Sequence, residues 1–420
     1  MRNKNKYICP YCIEEHVLQD VEFRCKNDLC SEKIRDKAYA KYMGVPTESL
    51  PFQNVAFYTP DDKKFHFLKK HSMPKEAVCP FCGMKTETRI CPECHQKLPD
   101  AVSDDDTVII AVLGSFDSGI STYLSVLIHE LEYSMIPYLT NGTIFPADDK
   151  VYNYYYRCYF EPNYIKHDKI RHYGLYCSQE EYLQPLIYEL HFPLDKRGRR
   201  IRKIMLVFQE NKDDGWGRTI SETEMKRRNR YVAKVDGIIF LADPFQIPEI
   251  RVRMKDVEFA GSSCIDESYM YMHPIEMHIA RIADILRVEY GLKKSGKVDI
   301  PIAVVLSKFD VLRRFFRKGS QVLKQSGYLE TGHFDASEWI AVSDELTAMF
   351  KKWNMSSFMM NVYWHFNRYI FSAASSLGHP LAVPAYNGDC YRNREKLLVP
   401  QPHRIADAFF WILKEKGILK

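Results

Sequence analysis

The chain has 420 residues and a mass of 49.3 kDa, is 46% hydrophobic and 27% charged, and carries a formal net charge of +5. That length can bury one large core beside a smaller domain, and so slight a charge gives no argument for nucleic acid. No apolar run approaches the roughly 18–20 residues that span a bilayer, and the opening MRNKNKYICP lacks the apolar region of a signal peptide, so the expectation is a cytoplasmic protein with no membrane partner.

Two cysteine sets mark the first hundred residues. Cys9 and Cys12 form C-P-Y-C and are followed by Cys25 and Cys30; Cys79 and Cys82 form C-P-F-C-G and are followed by Cys91 and Cys94 in C-P-E-C. Eight of the twelve cysteines at such spacing favour a reducing compartment over disulfides. A C-x-x-C knuckle presents two thiolates from one turn, so two knuckles close a tetrahedral zinc shell. Taken in chain order, the first four cysteines make one structural zinc site and the last four a second, in ribbons over residues 1–45 and 75–99. Zinc there replaces a core that so short a segment cannot build. His16 and His95 lie nearby as spare ligands. Ile34 to Tyr42 reads as a short helix, residues 46–74 as a proline-bearing connector with the strand NVAFYT, and residues 100–106 as an acidic linker.

The main domain, residues 107–420, opens on TVIIAVLGSFDSGIST. Val108 to Leu113 is an unbroken apolar run, the pattern of a strand buried on both faces. Gly114 and Gly119 bound a loop, and Ser121-Thr122 open a helix with Leu124, Leu127, Ile128, Leu131 and Met135 on one face. Strand, glycine-bounded loop and helix form the setting of a P-loop, G-x-x-x-x-G-K-[ST]. Its candidate phosphate cradle is Gly114, Ser115, Asp117, Ser118, Gly119, Ile120, Ser121 and Thr122, with Ser121 also placed to meet magnesium. Ile120 stands where the motif requires a lysine.

Residues 148–182 hold nine tyrosines, among them Tyr154-Tyr155-Tyr156, mixed with lysine and arginine. Such a segment suits an aromatic cluster or a protein interface, with stacking of single-stranded bases as the alternative. Leu186 to Phe192 and Ile201 to Gln209, joined by the basic PLDKRGRR, read as a hairpin. Three buried-strand runs follow, at 235–243, 299–310 and 368–375, each trailed by helical sequence. The expected fold is α/β: a mostly parallel sheet with flanking helices and one antiparallel strand. Arg404 to Gly417 closes it as an amphipathic helix with Ile405, Ala408, Phe409 and Ile412 on its apolar face.

Open parallel sheets bind ligands at the carboxyl ends of their strands. Ser307-Lys308-Phe309-Asp310 ends one and resembles the guanine-reading [NT]-K-x-D element, in which the aspartate accepts from guanine N–H groups. Ser372-Ala373-Ala374 ends the next and resembles S-A-K. For magnesium, Glu210 at the end of the hairpin competes with Asp214, which fits D-x-x-G a few residues late.

The stretches IAVLGSFDSGISTYLSVLIHEL, RYVAKVDGIIFLADPFQIP, VVLSKFD and FSAAS, behind zinc ribbons, resemble the bacterial TRAFAC-type double-GTPase family. The resemblance implies a P-loop GTPase-like fold, GTP or GDP with magnesium as ligands, a second GTPase or an effector as protein partner, and a place in bacterial defence systems. In that family the P-loop lysine contacts the β- and γ-phosphates and the next residue holds magnesium. Ser121 matches; Ile120 departs, and so does the metal-side motif. Three readings stay open: a degenerate GTPase acting as switch or scaffold, a working GTPase whose cation comes from elsewhere, and a zinc-ribbon adaptor for protein or nucleic acid. No catalytic residue is assigned.

Overall fold

A computed structural model describes residues 5–58, 73–103, 106–115, 118–167, 184–194, 201–210, 230–254, 275–379 and 399–419. Its main sheet has seven strands: β1 (Asp106–Gly114), β2 (Thr143–Pro146), β3 (Leu186–Pro193), β4 (Ile201–Glu210), β5 (Gly237–Ala242), β6 (Ile302–Leu306) and β7 (Tyr369–Ala373), in the order β2-β3-β4-β1-β5-β6-β7. β1 lies at the centre and pairs in parallel with β4 and β5, setting Val112 opposite Glu210 and Gly114 opposite Leu241. β5, β6 and β7 continue in parallel, while β3 runs antiparallel to β4 and β2 antiparallel to β3. This is the mostly parallel sheet with one antiparallel strand expected from the alternating runs. Val108 to Leu113 and the whole of β5 are buried, as strands covered on both faces must be.

The helices that frame it are α1 (Ile120–Glu130), α2 (Asp149–Tyr155), α3 (Ile275–Glu289), α4 (Ala336–Lys352), α5 (Ser356–His365) and α6 (Asp407–Glu415). α1 runs on through a π-helical turn, Leu131–Met135, which absorbs the last residues of the expected apolar face. α2 is started by Asp148, whose carboxylate accepts from the Val151 N–H at 2.8 Å, and passes into a π-helical stretch, Tyr156–Ile165. Edge strand β7 is covered by α4, where Ser343 Oγ accepts the Phe371 N–H at 3.1 Å. α6 starts three residues later than the sequence suggests. Arg404 there adopts a left-handed φ of 50° and turns its guanidinium onto Asp407, 2.7 Å away, so the chain enters the helix only after that pair. Gly417, with φ 66°, ends it as expected.

The first hundred residues are woven together. The strand Glu22–Arg24 pairs on one side with Ala56–Tyr58 and on the other with Arg89–Ile90. The short helix is Lys37–Met43, started by the Asp36 carboxylate accepting from the Tyr39 N–H at 3.0 Å. The module sits against β4: Gln209 Nε2 donates to the Pro10 carbonyl at 3.2 Å, and Lys234 pairs with Glu14 at 2.9 Å. Gln209 and Glu210 therefore face opposite sides of the sheet, as neighbours in a strand do, one towards the cysteine module and the other towards α1. Among the described residues no helix is long and apolar enough to cross a membrane.

Candidate functional site

The eight cysteines assemble as two tetrads, but not in chain order. Cys9, Cys12, Cys91 and Cys94 form one cluster, and Cys25, Cys30, Cys79 and Cys82 form the other. This corrects the sequential grouping, and the reason lies in one strand pair. Glu22–Arg24 runs antiparallel to Arg89–Ile90, so Cys25 and Cys91, which follow those strands, emerge at opposite ends. Each site must then draw one pair from each half of the module. Sulfur separations of 3.7 Å (Cys9–Cys94), 3.6 Å (Cys12–Cys91), 3.5 Å (Cys25–Cys82) and 3.8 Å (Cys30–Cys79) match the edge of about 3.8 Å that a tetrahedron with 2.3 Å zinc–sulfur bonds requires. Four soft thiol donors at that spacing fit zinc.

The two spare histidines lie outside both tetrads. His16 places Nε2 3.3 Å from Cys91 Sγ, an outer-shell contact of the kind that orients a ligand. His95 bridges Asp36 (Nδ1, 2.7 Å) and Glu22 (Nε2, 3.1 Å). Burial works against its charge, yet those two carboxylates raise it to about 9.

At the carboxyl end of β1 the loop is shaped by its two glycines. A Cβ on Gly114 would lie 2.4 Å from Ser118 Oγ and 2.9 Å from the Leu241 carbonyl oxygen, so only glycine lets the loop fold back there. Gly119 has φ 84°, a left-handed conformation that glycine adopts without strain. The Ser118 N–H closes a turn on the Ser115 carbonyl at 3.1 Å, and the Tyr123 N–H takes the Gly119 carbonyl at 2.8 Å to start α1. The hydroxyls of Ser115 and Ser118 are buried and have no partner among the described residues. Ile120 is the first helical residue and is 9% exposed. Thr122 is half-buried on the first turn, and Asp117 lies outside the described residues. Over its described residues the loop thus turns on its glycines into a helix N-terminus, where backbone N–H groups point outward, and the apolar Ile120 stands at the first helical position.

On the metal side, Ser121 Oγ donates to Glu210 Oε2 at 3.1 Å. Asp214 lies outside the described residues. Ser121 and Glu210 are oxygen donors of the class magnesium takes, but the second carboxylate oxygen, Oε1, accepts from the hydroxyl of Tyr159. The Tyr-rich segment, over its described part, is an aromatic cluster seated on α1. Tyr155 Oη donates to the Ser125 carbonyl at 2.8 Å, Ser125 Oγ donates to the Tyr159 carbonyl at 2.9 Å, and Asn163 Nδ2 reaches Ser125 Oγ at 3.4 Å. Residues 155, 159 and 163 share the inward face because positions four apart lie on one side of a helix. Sequence reading passed over Tyr159, since nothing in a run of tyrosines says which hydroxyl turns inward.

On the base side, Asp310 Oδ1 accepts from Ser375 Oγ at 2.5 Å, and Ser375 Oγ accepts the Gly378 N–H at 2.8 Å. The Phe309 N–H ties the two loops by donating to the Ala374 carbonyl at 3.1 Å. Asp310 therefore meets Ser375, two residues past β7, and not Ser372 or Ala373. Ala373 pairs in the strand with Leu306, and Ser372 turns under the helices to share a lining with Trp339, Asp407 and Trp411. Ser307 is buried and donates to the Ala242 carbonyl at 3.3 Å. Lys308, with φ 49°, places Nζ 3.0 Å from Asp243 Oδ2 and 5.4 Å above the Phe245 ring. Asp243 is fully buried and caps the turn after β5 by accepting the Phe245 N–H at 2.9 Å.

No protein-family model matches the chain. Among curated proteins it is 25% identical over 238 residues to SaeC of Mycolicibacterium smegmatis, named for ESX-1 scaffolding and assembly; the match takes in 53% of this chain and 51% of the other, so the chain spans about half the length of that relative. Among solved structures, the G domain of the T. maritima FeoB iron transporter matches over 65% of this chain and 90% of its own at 10% identity, with a TM-score of 0.21. The signal recognition particle receptor SRb-GTP/SRX complex of Chaetomium thermophilum matches over 64% and 91% at 12% identity, with a TM-score of 0.27. A mutation variant of SsGBP matches over 65% of this chain and half of its own at 13% identity, with a TM-score of 0.22. At such scores the likeness adds nothing to the strand order described above.

Proposed function

We propose that the chain is a pseudo-GTPase: a P-loop GTPase-like domain that holds guanine nucleotide weakly, does not turn it over at a GTPase rate, and serves as a scaffold for a protein partner. One observation carries the reading, the buried Ile120 at the start of α1 in a loop whose glycines and turns are otherwise in place. Backbone N–H groups at a helix N-terminus attract phosphate without any side chain. A missing charge-assisted contact costs about 1.5–3 kcal/mol, which is roughly 10- to 100-fold in affinity. Phosphoryl transfer suffers more, because it rests on positive charge placed against the transferred group. Lys308, at the carboxyl end of β6, is paired with Asp243 and so is not offered to a phosphate.

Base choice falls to Asp310, held by Ser375 at the mouth of β6 and β7. The partner is read from two sides. The resemblance to double-GTPases points to a second GTPase or an effector within a bacterial defence system, and the half-length likeness to a protein named for scaffolding and assembly supports the scaffold role. The cysteine tetrads bind structural zinc and shape a module that leans on β4. Titration of GDP, GTP and ATP into the full chain tests the reading, together with phosphate release. Weak, guanine-selective binding without turnover is expected, and turnover at an ordinary GTPase rate by the chain alone would refute it.

A further inference from the structure

Glu210 stands where a P-loop protein of this class presents its magnesium carboxylate, yet its oxygens already carry protein donors. Oε2 accepts from Ser121 Oγ at 3.1 Å, and Oε1 accepts from Tyr159, a side chain with no solvent exposure. The phenol is fixed from several sides. Tyr154 Oη lies 3.3 Å from its oxygen, the Tyr155 ring stacks at 6.0 Å, and its own carbonyl is held by Ser125 of α1 at 2.9 Å. Magnesium demands a near-regular octahedron of oxygens at about 2.0–2.1 Å and gives up its waters reluctantly. Each Glu210 oxygen keeps a second lone pair, but a metal shell at Oε1 would have to form against the fully buried Tyr159 phenol, which already donates there.

From this geometry we infer that Tyr159 takes the place of the divalent cation, so that the site excludes magnesium and any nucleotide binds it metal-free. Ser121, the residue that would otherwise complete a metal shell, serves as the second donor to Glu210. The inference deepens the pseudo-GTPase reading and takes its nucleotide from that reading, but the exclusion of the cation stands on the buried Tyr159 hydroxyl at Glu210 alone.

The test uses the full chain. GDP affinity is measured by calorimetry, and the melting temperature of the nucleotide-free protein is measured by scanning calorimetry, each in magnesium and in EDTA. Expected for the native chain is a GDP affinity that agrees within about 2-fold between the two buffers and one melting temperature. Tyr159→Phe, which keeps the ring and removes the hydroxyl, is expected to gain a magnesium dependence of about 10-fold or more and a magnesium-dependent rise in melting temperature. Adding Glu210→Gln should abolish both gains. Magnesium that tightens GDP or raises the melting temperature of the native chain overturns the proposal without recourse to any variant, and so does a folded Tyr159→Phe that stays blind to the metal. If GDP binds in neither buffer, the nucleotide reading has failed, and the melting arm still decides whether the cation is excluded.

Discussion

The interleaved tetrads make a prediction that chain order alone would get backwards. Cys25→Ser with Cys79→Ser removes two ligands from one cluster and leaves Cys9, Cys12, Cys91 and Cys94 untouched. Cys9→Ser with Cys25→Ser takes one ligand from each cluster, although both residues lie in the first ribbon of the sequence. The first double variant should keep about one zinc per chain and the second should keep almost none. Structural zinc binding is worth on the order of 10–16 kcal/mol in isolated finger peptides, far more than the rest of so small a module can supply, so a lost ion is a lost local fold. The clusters should also differ in reach. The Cys9–Cys12 knuckle carries Pro10, which accepts from Gln209 of β4, whereas no such bond to the main sheet is seen from the Cys25 cluster among the described residues. Losing the first zinc should therefore loosen the joint with the main domain, and losing the second should not. Zinc released from the purified chain into a colorimetric chelator gives the stoichiometry. The opposite pattern, none retained by Cys25→Ser with Cys79→Ser and one by Cys9→Ser with Cys25→Ser, would refute the interleaving.

Three further outcomes are expected. Asp310→Asn should weaken guanine nucleotide and admit xanthine, whose carbonyl complements the amide; equal binding of ATP and GTP by the native chain would contradict the base assignment. Gly114→Ala should cost about 1–3 kcal/mol of stability, because its Cβ meets Ser118 Oγ and the Leu241 carbonyl at 2.4 and 2.9 Å; an unchanged urea midpoint would show that the loop does not fold back as described. Burial pushes the His403 imidazole, stacked on Phe309, down to about 4. An unfolded histidine titrates near 6.5, so the folded state binds fewer protons between those values. Stability is therefore full above that window and falls by about 1–2 kcal/mol as pH drops from 6.5 to 5, a component that His403→Gln should remove.

Much of the fold was legible because buried parallel strands write themselves as apolar runs. Val108 to Leu113, the hairpin and the runs at 235–243, 299–310 and 368–375 all became strands of the main sheet, the first and the hairpin running one or two residues longer and the last three shorter where loops take over. The glycine-bounded turn into a helix after β1 was legible from two glycines and a helix start, and Gly114 proves to be required by close approach and Gly119 by its φ. Long-range pairing was not legible. Knuckle spacing names the cysteine pairs but not which pairs meet, since that depends on an antiparallel contact between Glu22–Arg24 and Arg89–Ile90. The contact between Asp310 and Ser375 was not legible for a related reason: where a strand ends decides which serine reaches the neighbouring loop, and β7 ends at Ala373. Tyr159 was hidden because inward and outward tyrosines look alike until the helix is wound.

The account turns on Ile120, and restoring the missing lysine tests it most directly. Ile120→Lys gives up part of a buried side chain worth about 1.5–3 kcal/mol, partly offset because a lysine stem can lie along the same apolar surface. The nucleotide-free protein should then melt slightly lower while its affinity for GTP rises. Calorimetric titration of GTP into the native chain and into Ile120→Lys is the measurement. The account predicts a gain of at least about 10-fold, with phosphate release rising far less because Glu210 stays engaged by Tyr159. A folded Ile120→Lys with unchanged GTP affinity would contradict it.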